Sequence, residues 1–546
     1  MKRLLEKQLK WEWKRLNGEI IIKNLNLTVL RKRLFALVCA ITFIFLSVLG
    51  RVFYIQIVWG KDLQSKAIDQ WTRELPIIAK RGLITDRNGV VLAGNSQSYA
   101  VFVRTRSVTD ADEVARSLSS VLDVDYTLLR EKIQKGSNSE ITVKRRVSKD
   151  VIDKLCETNI SGVYYAPDNT RIYPYEESLC QVLGYTSIDG SGQTGIEKKY
   201  DKYLSGDNGE ILYEADLIGK DLEGKSAKYI SATDGLNVKL TIDYEIQSIC
   251  DSVILNAYKK YTPKSASVIV LNPSNGQILA LSQYPSYNLN DVPRDNISKL
   301  NQYSRCSVIV DSYEPGSTFK ILTAAANVEE YLKGNPNAFS PNHIFNSSRY
   351  RYVDGKKIKC WSSHENGKHS NENLAMALNN SCNPCFVDIA LSLGKEKMYE
   401  YVNAFGYGQS TGVDFGGEAI GMVIPESAVK NGDLARISFG QTIAVTPLQL
   451  ACATSAAING GIYYEPYFVQ EISDKNGFIA QSIQPKAKRR VISEEASKIM
   501  AKYLEGVVSN GSGKQAFIEG YSVGGKTGVA SSGCEKIIKL YFMKRT

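Results

Sequence analysis

The stretch LFALVCAITFIFLSVL, Leu34 to Leu49, constrains this chain most, because it decides on which side of a membrane everything after it lies. As a helix these sixteen uncharged residues span about 24 Å, short of a hydrocarbon core of about 30 Å. Val52 to Tyr54 complete the crossing if Arg51 snorkels to the interface. A cleavable signal needs small residues at its cleavage site, and Arg51 with bulky aromatics stands there instead, so the segment reads as an uncleaved signal anchor. Ten basic residues precede it, from Lys2 to Arg33, against only Glu6, Glu12 and Glu19, so +7 of the net charge of +10 sits in the first 33 residues. A buried core helix does not explain that flank. The positive side stays inside, which makes 1–33 a basic cytoplasmic segment, 34–58 a single-pass anchor in the cell membrane, and leaves roughly 490 residues extracytoplasmic. The rest of the chain carries 57 basic and 54 acidic residues, a near balance that excludes a nucleic-acid-binding body.

At 546 residues the chain predicts two or three domains. From 59 to 240, short β-rich runs alternate with turns. RGLITDRNGVVLAGN carries a D-R-N-G turn between apolar flanks, and a short helical stretch from Ile196 to Leu204 lies between glycine turns. This part reads as scaffold. From 241 to 546 the pattern changes: VKLTIDYEIQSIC is a strand entering a helix, and SASVIVLNPSNGQILALSQYP is a hairpin about P-S-N-G. Phe319, Leu322 and Ala326 share one helical face. The fold class expected is α+β.

Ser317 and Lys320, in YEPGSTFK, form S-x-x-K at a helix start. Residues i and i+3 share a face, so a lysine desolvated near the positive helix end can take the proton of the serine hydroxyl, while the exposed N–H groups stabilise an oxyanion. Alone this tetrad is weak, since SLGK (392–395) and SAVK (427–430) fit it too. Two later triplets decide. Ser381 and Asn383 form S-x-N, a hydroxyl to relay a proton and an amide to hold a substrate carbonyl. Lys526, Thr527 and Gly528 end VGGKTG, where a cation and a hydroxyl can bind a carboxylate and glycine lets an extended peptide lie along the strand.

The order S-x-x-K, S-x-N, K-T-G is the signature of penicillin-binding proteins and serine β-lactamases. The chain resembles class B penicillin-binding proteins, the peptidoglycan D,D-transpeptidases, over about residues 30 to 530. RGLITDRNGVVLA, RIYP and LGYTSIDGSGQTGIEKKYDKYLSG resemble that family's pedestal, or dimerisation, domain. LNPSNGQILALSQYPSYN and FGQTIAVTPLQLACATSAAINGG resemble its transpeptidase domain. SYEPGSTFK, IKCW and NSCNPCFVDIALSLG are most similar to the branch of the stage V sporulation and septal division transpeptidases.

The resemblance implies an elongated β-rich pedestal, then a transpeptidase domain with a mostly antiparallel sheet and helices. It implies Ser317 as acylated nucleophile, Lys320 as its base, Ser381 as proton shuttle, Asn383 holding the stem peptide, Lys526 and Thr527 binding its carboxylate, and the N–H groups of Ser317 and Val529 as oxyanion hole. It implies no cofactor, and as partners peptidoglycan stem peptides, β-lactams and a membrane glycan polymerase. Val529 replaces the family's usual second threonine, which weakens carboxylate recognition. Only eighteen residues follow Gly528. KIIKLYFM supplies one strand, and the family's last strand and covering helix are missing, so the expectation is a truncated domain of uncertain activity. An inert scaffold, or a β-lactam hydrolase or sensor, remain as alternatives.

The cysteines leave one question. Cys382 lies inside S-x-N and makes C-x-x-C with Cys385. Cys360, His364, His369, Cys382 and Cys385 form a zinc-like constellation whose spacing fits no regular structural pattern, so no metal is expected. The sharper expectation is a Cys360–Cys382 disulfide that blocks the cleft until it is reduced.

Overall fold

The computed structural model describes residues 10–13, 20–24, 27–61, 63, 72–135, 140–158, 160–214, 228–364, 369–530 and 536–545. It divides into two compact units. One holds Met1–Ile77 with Gly209–Ser231, the other Ile78–Asn208 with Ala232–Thr546.

The first unit contains an uninterrupted helix, Leu27–Ile57, exposed along its length and the one described helix long and apolar enough to cross a membrane. At about 1.5 Å per residue it is about 46 Å long, so it begins seven residues before the apolar run and carries Arg31, Lys32 and Arg33 within it. The same unit has a three-stranded antiparallel sheet of Thr72–Ile77, Gly209–Glu214 and Lys228–Ile230.

In the second unit one seven-stranded sheet runs through the region read as scaffold and continues into the catalytic half. Its path is Ile479–Ser482, Val469–Ser473, Asn237–Leu240, Ile84–Thr85, Val91–Val103 and Ile141–Val147, with Val163–Ile172 also on Val91–Val103. The pairing of Asn237–Leu240 with Ile84–Thr85 is parallel and the others are antiparallel. The D-R-N-G turn closes as expected, with Asp86 Oδ1 accepting from the N–H of Asn88 and Val90. The β-rich reading missed three helices, Ala111–Leu122, Tyr126–Lys135 and Lys149–Glu157. Their signal was there: Asp110 caps the first, and Val114, Ala115, Leu118 and Leu122 recur at helical spacing into a separate small core.

Three stretches of the scaffold meet on one carboxylate. Arg81 Nε lies 2.6 Å from Glu197 Oε2, Arg171 Nε lies 2.7 Å from Oε1, and Glu197 is fully buried. Arg81 also donates to the Glu197 carbonyl, and Tyr173 donates to Oε1 at 3.3 Å. A buried carboxylate is tolerable only when so paired.

The catalytic half centres on the helix Lys320–Leu332. Its residues from Lys320 to Glu330 are all buried, not just the Phe319, Leu322, Ala326 face, because Asn383–Ala404, Pro447–Ile458 and Glu494–Ser509 pack around it. The described strand ladders of this half are antiparallel, as expected, among them Ala266–Leu271 with Ile278–Tyr284 and Tyr521–Ala530 with Lys536–Arg545. KIIKLYFM is the core of that last strand, and its register sets Lys526 opposite Leu540 and Gly528 opposite Ile538.

Candidate active site

Chain geometry explains why S-x-x-K sits where it does. Pro315 and Gly316 lead into a 3-10 turn, Gly316–Phe319, which runs directly into the helix beginning at Lys320. Gly316 has φ +57°, and a Cβ there would stand 2.4 Å from the carbonyl oxygen of Val529, so only glycine permits the K-T-G strand to lie against the turn. Gly440, at φ +79°, lies on the other side: a Cβ would stand 2.1 Å from the Gly316 carbonyl oxygen, and its own carbonyl accepts the Gly316 N–H at 3.0 Å. FGQTIAVTP thus forms the floor of the nucleophile turn, a role its sequence alone did not reveal.

S-x-N sits at the junction of two helices. Leu374–Asn380 ends with Ser381 in the left-handed conformation at φ +55°, and the next helix starts at Asn383 with Pro384 in its first turn. That conformation is uncommon for a residue with a Cβ and is held by surrounding bonds. Ser381 N donates to Leu378 O, Cys382 N donates to Ala377 O, and the Trp361 indole N–H, which the sequence reading did not single out, donates at 3.1 Å to the carbonyls of Asn380 and Ser381.

The three motifs converge. Lys320 Nζ donates to Ser381 O at 2.7 Å, to Ser381 Oγ at 3.1 Å and to Asn383 Oδ1 at 2.7 Å. Lys526 Nζ donates to the same Ser381 Oγ at 2.9 Å and to Thr527 O at 2.9 Å. One hydroxyl therefore lies between two lysine amino groups. Both lysines are fully buried, and neither forms an ion pair among the described residues. Burial brings Lys320 down from the ordinary lysine value to about 8. Burial, and then the charge of Lys320, holds Lys526 well below the ordinary range.

Ser317 is half-buried and its hydroxyl has no hydrogen-bond partner among the described residues, the state of a side chain open to a substrate. Thr527 Oγ1 meets Ser512 Oγ at 3.3 Å, Gly528 packs on Pro315 and Thr318, and Val529 is 58 % exposed at the rim. The two decoy tetrads lie outside this cluster: Ser392 donates to Asn337 O, and Ser427 is exposed on a short 3-10 turn.

The cysteine cluster is tighter than its spacing suggested. One ligand atom each from Cys360, His364, His369 and Cys382 lie within 4.8 Å of one another. Cys360 Sγ is 3.8 Å from His369 Nδ1, and Cys382 Sγ is 3.8 Å from His364 Nε2. Two thiols and two imidazoles at such separations could hold a tetrahedral divalent ion, the donor set of structural zinc. Cys385 falls outside this set and groups with Cys382 and Glu372, and His343 stacks on Phe339 instead. The Cys360 thiol is pushed up by its bond with Cys382 and by burial. Cys382, although its bond to Cys360 favours the thiolate, is pushed up by Cys385 and burial.

Residues 266–536 match the penicillin binding protein transpeptidase domain, and residues 76–240 the penicillin-binding protein dimerisation domain. Stage V sporulation protein D of Bacillus subtilis (strain 168) is 39% identical over 513 residues, covering 92% of this chain and 77% of that protein. The chain is a class B penicillin-binding protein. Among further relatives, the peptidoglycan D,D-transpeptidase FtsI of Escherichia coli (strain K12) is 27% identical over 91% of this chain and 81% of its own length. Of solved structures, a peptidoglycan synthetase from Bifidobacterium adolescentis aligns at a TM-score of 0.66 with 25% identity, over 86% of this chain and 89% of that one. Penicillin Binding Protein 2X from Streptococcus thermophilus aligns at 0.67 with 23% identity, over 86% and 76%, a likeness of fold. The scaffold and catalytic half of this penicillin-binding protein thus carry both of the family's domains, and the lysines of S-x-x-K and K-T-G meet at Ser381 of S-x-N.

Proposed function

We propose that this penicillin-binding protein is a peptidoglycan D,D-transpeptidase anchored by its N-terminal helix, with the positive flank cytoplasmic and the catalytic half outside. The observation that carries this reading is the pair of buried lysines on Ser381, neither in an ion pair among the described residues, with the Ser317 hydroxyl three residues before Lys320 also without a hydrogen-bond partner among them. Ser317 Oγ attacks the carbonyl of the penultimate D-Ala and loses its proton to neutral Lys320, which an amine near pKa 8 supplies at neutral pH in useful amount. Ser381, fed by Lys526, passes a proton to the leaving amine, and the terminal D-Ala departs. Asn383 holds the stem peptide, Lys526 and Thr527 bind its carboxylate, and the N–H groups of Ser317 and Val529 hold the oxyanion. An amino group of a neighbouring stem peptide then attacks the acyl-enzyme and frees Ser317.

A fluorescent penicillin tests this on the detergent-solubilised chain. Stable label on Ser317, absent in Ser317→Ala, is the expected result. No label at any pH supports the inert scaffold, and rapid turnover of the label supports a hydrolase or sensor. We also propose a membrane glycan polymerase as partner, tested by co-purification of polymerase activity with the full-length anchor.

For the cysteines, a Cys360–Cys382 disulfide would pull on Ser381 from both sides, through Trp361 and through Cys382 itself. Labelling that rises with dithiothreitol supports it, and equal labelling overturns it. Zinc on the four-residue cluster is the competing state of the same thiols, favoured by the 3.8 Å thiol–imidazole approaches. In that case a chelator, not a reductant, changes the labelling.

A further inference from the structure

The scaffold contains guanidinium groups that its ion pairs do not absorb. A cavity of about 510 Å³ opens between the 146–186 region and residues 289–294, both within one compact unit. Arg146, Arg171 and Arg294 stand on its wall beside Tyr173 and Tyr185. Arg171 is committed to Glu197 through Nε, to Gly82 O and Asn95 Oδ1 through Nη1, and is only 7 % exposed. Its Nη2 is buried without a partner among the described residues, and so is Nε of Arg146. Arg146 Nη2 donates to Ser187 O at 2.7 Å and Arg294 Nη2 donates to Thr186 O at 2.6 Å, but neither guanidinium pairs with a carboxylate among the described residues. By contrast Arg145, the sequence neighbour of Arg146, is paired with Asp168 and Asp189. Asp291, also on the cavity wall, is exposed and makes no ion pair among the described residues.

Buried N–H donors without acceptors cost free energy, and like charges on one wall repel. Burial and the nearby charge of Arg294 lower the pKa of Arg146, in line with that repulsion. The backbone of Arg146 is also left-handed, at φ +58°, a conformation that aims a bulky side chain at some cost. An oxyanion would answer all three: planar guanidinium groups bind carboxylate or phosphate through parallel N–H bonds. The volume lies in the range of small-ligand sites, and the two tyrosine rings with Leu289 and Val292 supply an apolar wall that favours a group with an organic stem.

We propose that this cavity is an oxyanion-binding site, separate from the acyl-transfer cleft, taking a carboxylate carried on a small peptide or amino-acid stem. The site stands whether or not the chain is a transpeptidase.

The test is binding to the detergent-solubilised full chain by calorimetry, with three probes: N-acetyl-D-glutamate, its amide N-acetyl-D-glutamine, and inorganic phosphate. The expected result is saturable, salt-sensitive binding of the glutamate, and binding weaker by roughly tenfold or more for the amide and for the variants Arg146→Gln and Arg294→Gln. Binding of phosphate alone would keep the oxyanion site and overturn the carboxylate assignment. A wild-type circular dichroism spectrum and unfolding temperature in both variants show that they are folded. Should Arg146→Gln not fold, phenylglyoxal modification of wild-type Arg146 and Arg294, slowed by the glutamate probe, gives the same answer. Wild-type binding of neither anion, binding unchanged in the variants, or displacement of the probe by penicillin would each overturn the proposal.

Discussion

The molecule buries cations in two places and treats them in opposite ways. In the scaffold, Arg81 and Arg171 are held by the fully buried Glu197, and the group ties together residues more than a hundred positions apart. In the cleft, Lys320 and Lys526 are as deeply buried but face a hydroxyl, an amide oxygen and main-chain carbonyls, with no ion pair to a carboxylate among the described residues. The difference lies in what burial then does. A buried arginine beside a carboxylate stays charged and fastens the fold. A buried lysine without one is pushed towards its neutral form, the form that can accept a proton. Buried charge fastens the fold when compensated and becomes titratable when it has no ion pair.

The sharpest way to break that comparison is to restore permanent charge in the cleft. Lys320→Arg keeps the cation and removes the neutral form, so penicillin acylation should fall by about 10²- to 10⁴-fold, as read by stopped-flow labelling. An acylation rate within a fewfold of wild type would show that Lys320 acts only as a charge. Next in size, Glu197→Gln removes the carboxylate that Arg81 and Arg171 share, leaving Arg81 its ion pair with Asp201 and Arg171 none among the described residues, and should cost about 3–5 kcal/mol of stability, seen in urea unfolding, while acylation per folded molecule holds. Loss of acylation without loss of stability would erase the distinction between the two sites.

The third effect is pH dependence with a definite sign. The folded value of Lys320 lies below its unfolded one, so the unfolded chain binds more protons between about 8 and 10.5, and stability rises with pH across that window. At about 1.4 kcal/mol per pH unit the full span is about 3.5 kcal/mol, and Lys320→Met should flatten much of the rise. Smallest is Trp361→Phe, which frees the carbonyls of Asn380 and Ser381 of an indole donor. It should cost about 1 kcal/mol and slow acylation roughly fivefold, without moving the pH midpoint.

Much of the cleft was legible because its chemistry is written in short local patterns. Pro315 and Gly316 announce a helix start, and Ser317 and Lys320 follow at i and i+3. The partners of each motif were legible only through their order, since nothing local to Ser381 says that a lysine from 145 residues downstream will reach it. The floor at Gly440 and the Trp361 donor escaped for the same reason: each acts through the main chain, where residue type carries little signal. In the scaffold the helix Ala111–Leu122 was missed although cap and periodicity were present, because the surrounding β-rich runs set the reading. Arg81, Arg171 and Glu197 were visible as motifs, while their meeting was not, since a salt bridge across a fold has no sequence period. The metal-like cluster shows the limit of spacing rules, which describe ligands brought together by one small module. Here Cys360 and Cys382 are delivered by separate elements.

The most direct measurement is the rate of penicillin acylation of Ser317 as a function of pH. A buried, uncompensated Lys320 acting as the base predicts a rate that climbs with pH to a plateau with its midpoint near 8, a rise that Lys320→Arg abolishes. A rate that is flat across neutral and alkaline pH, or one whose midpoint lies at the ordinary lysine value, would contradict the account.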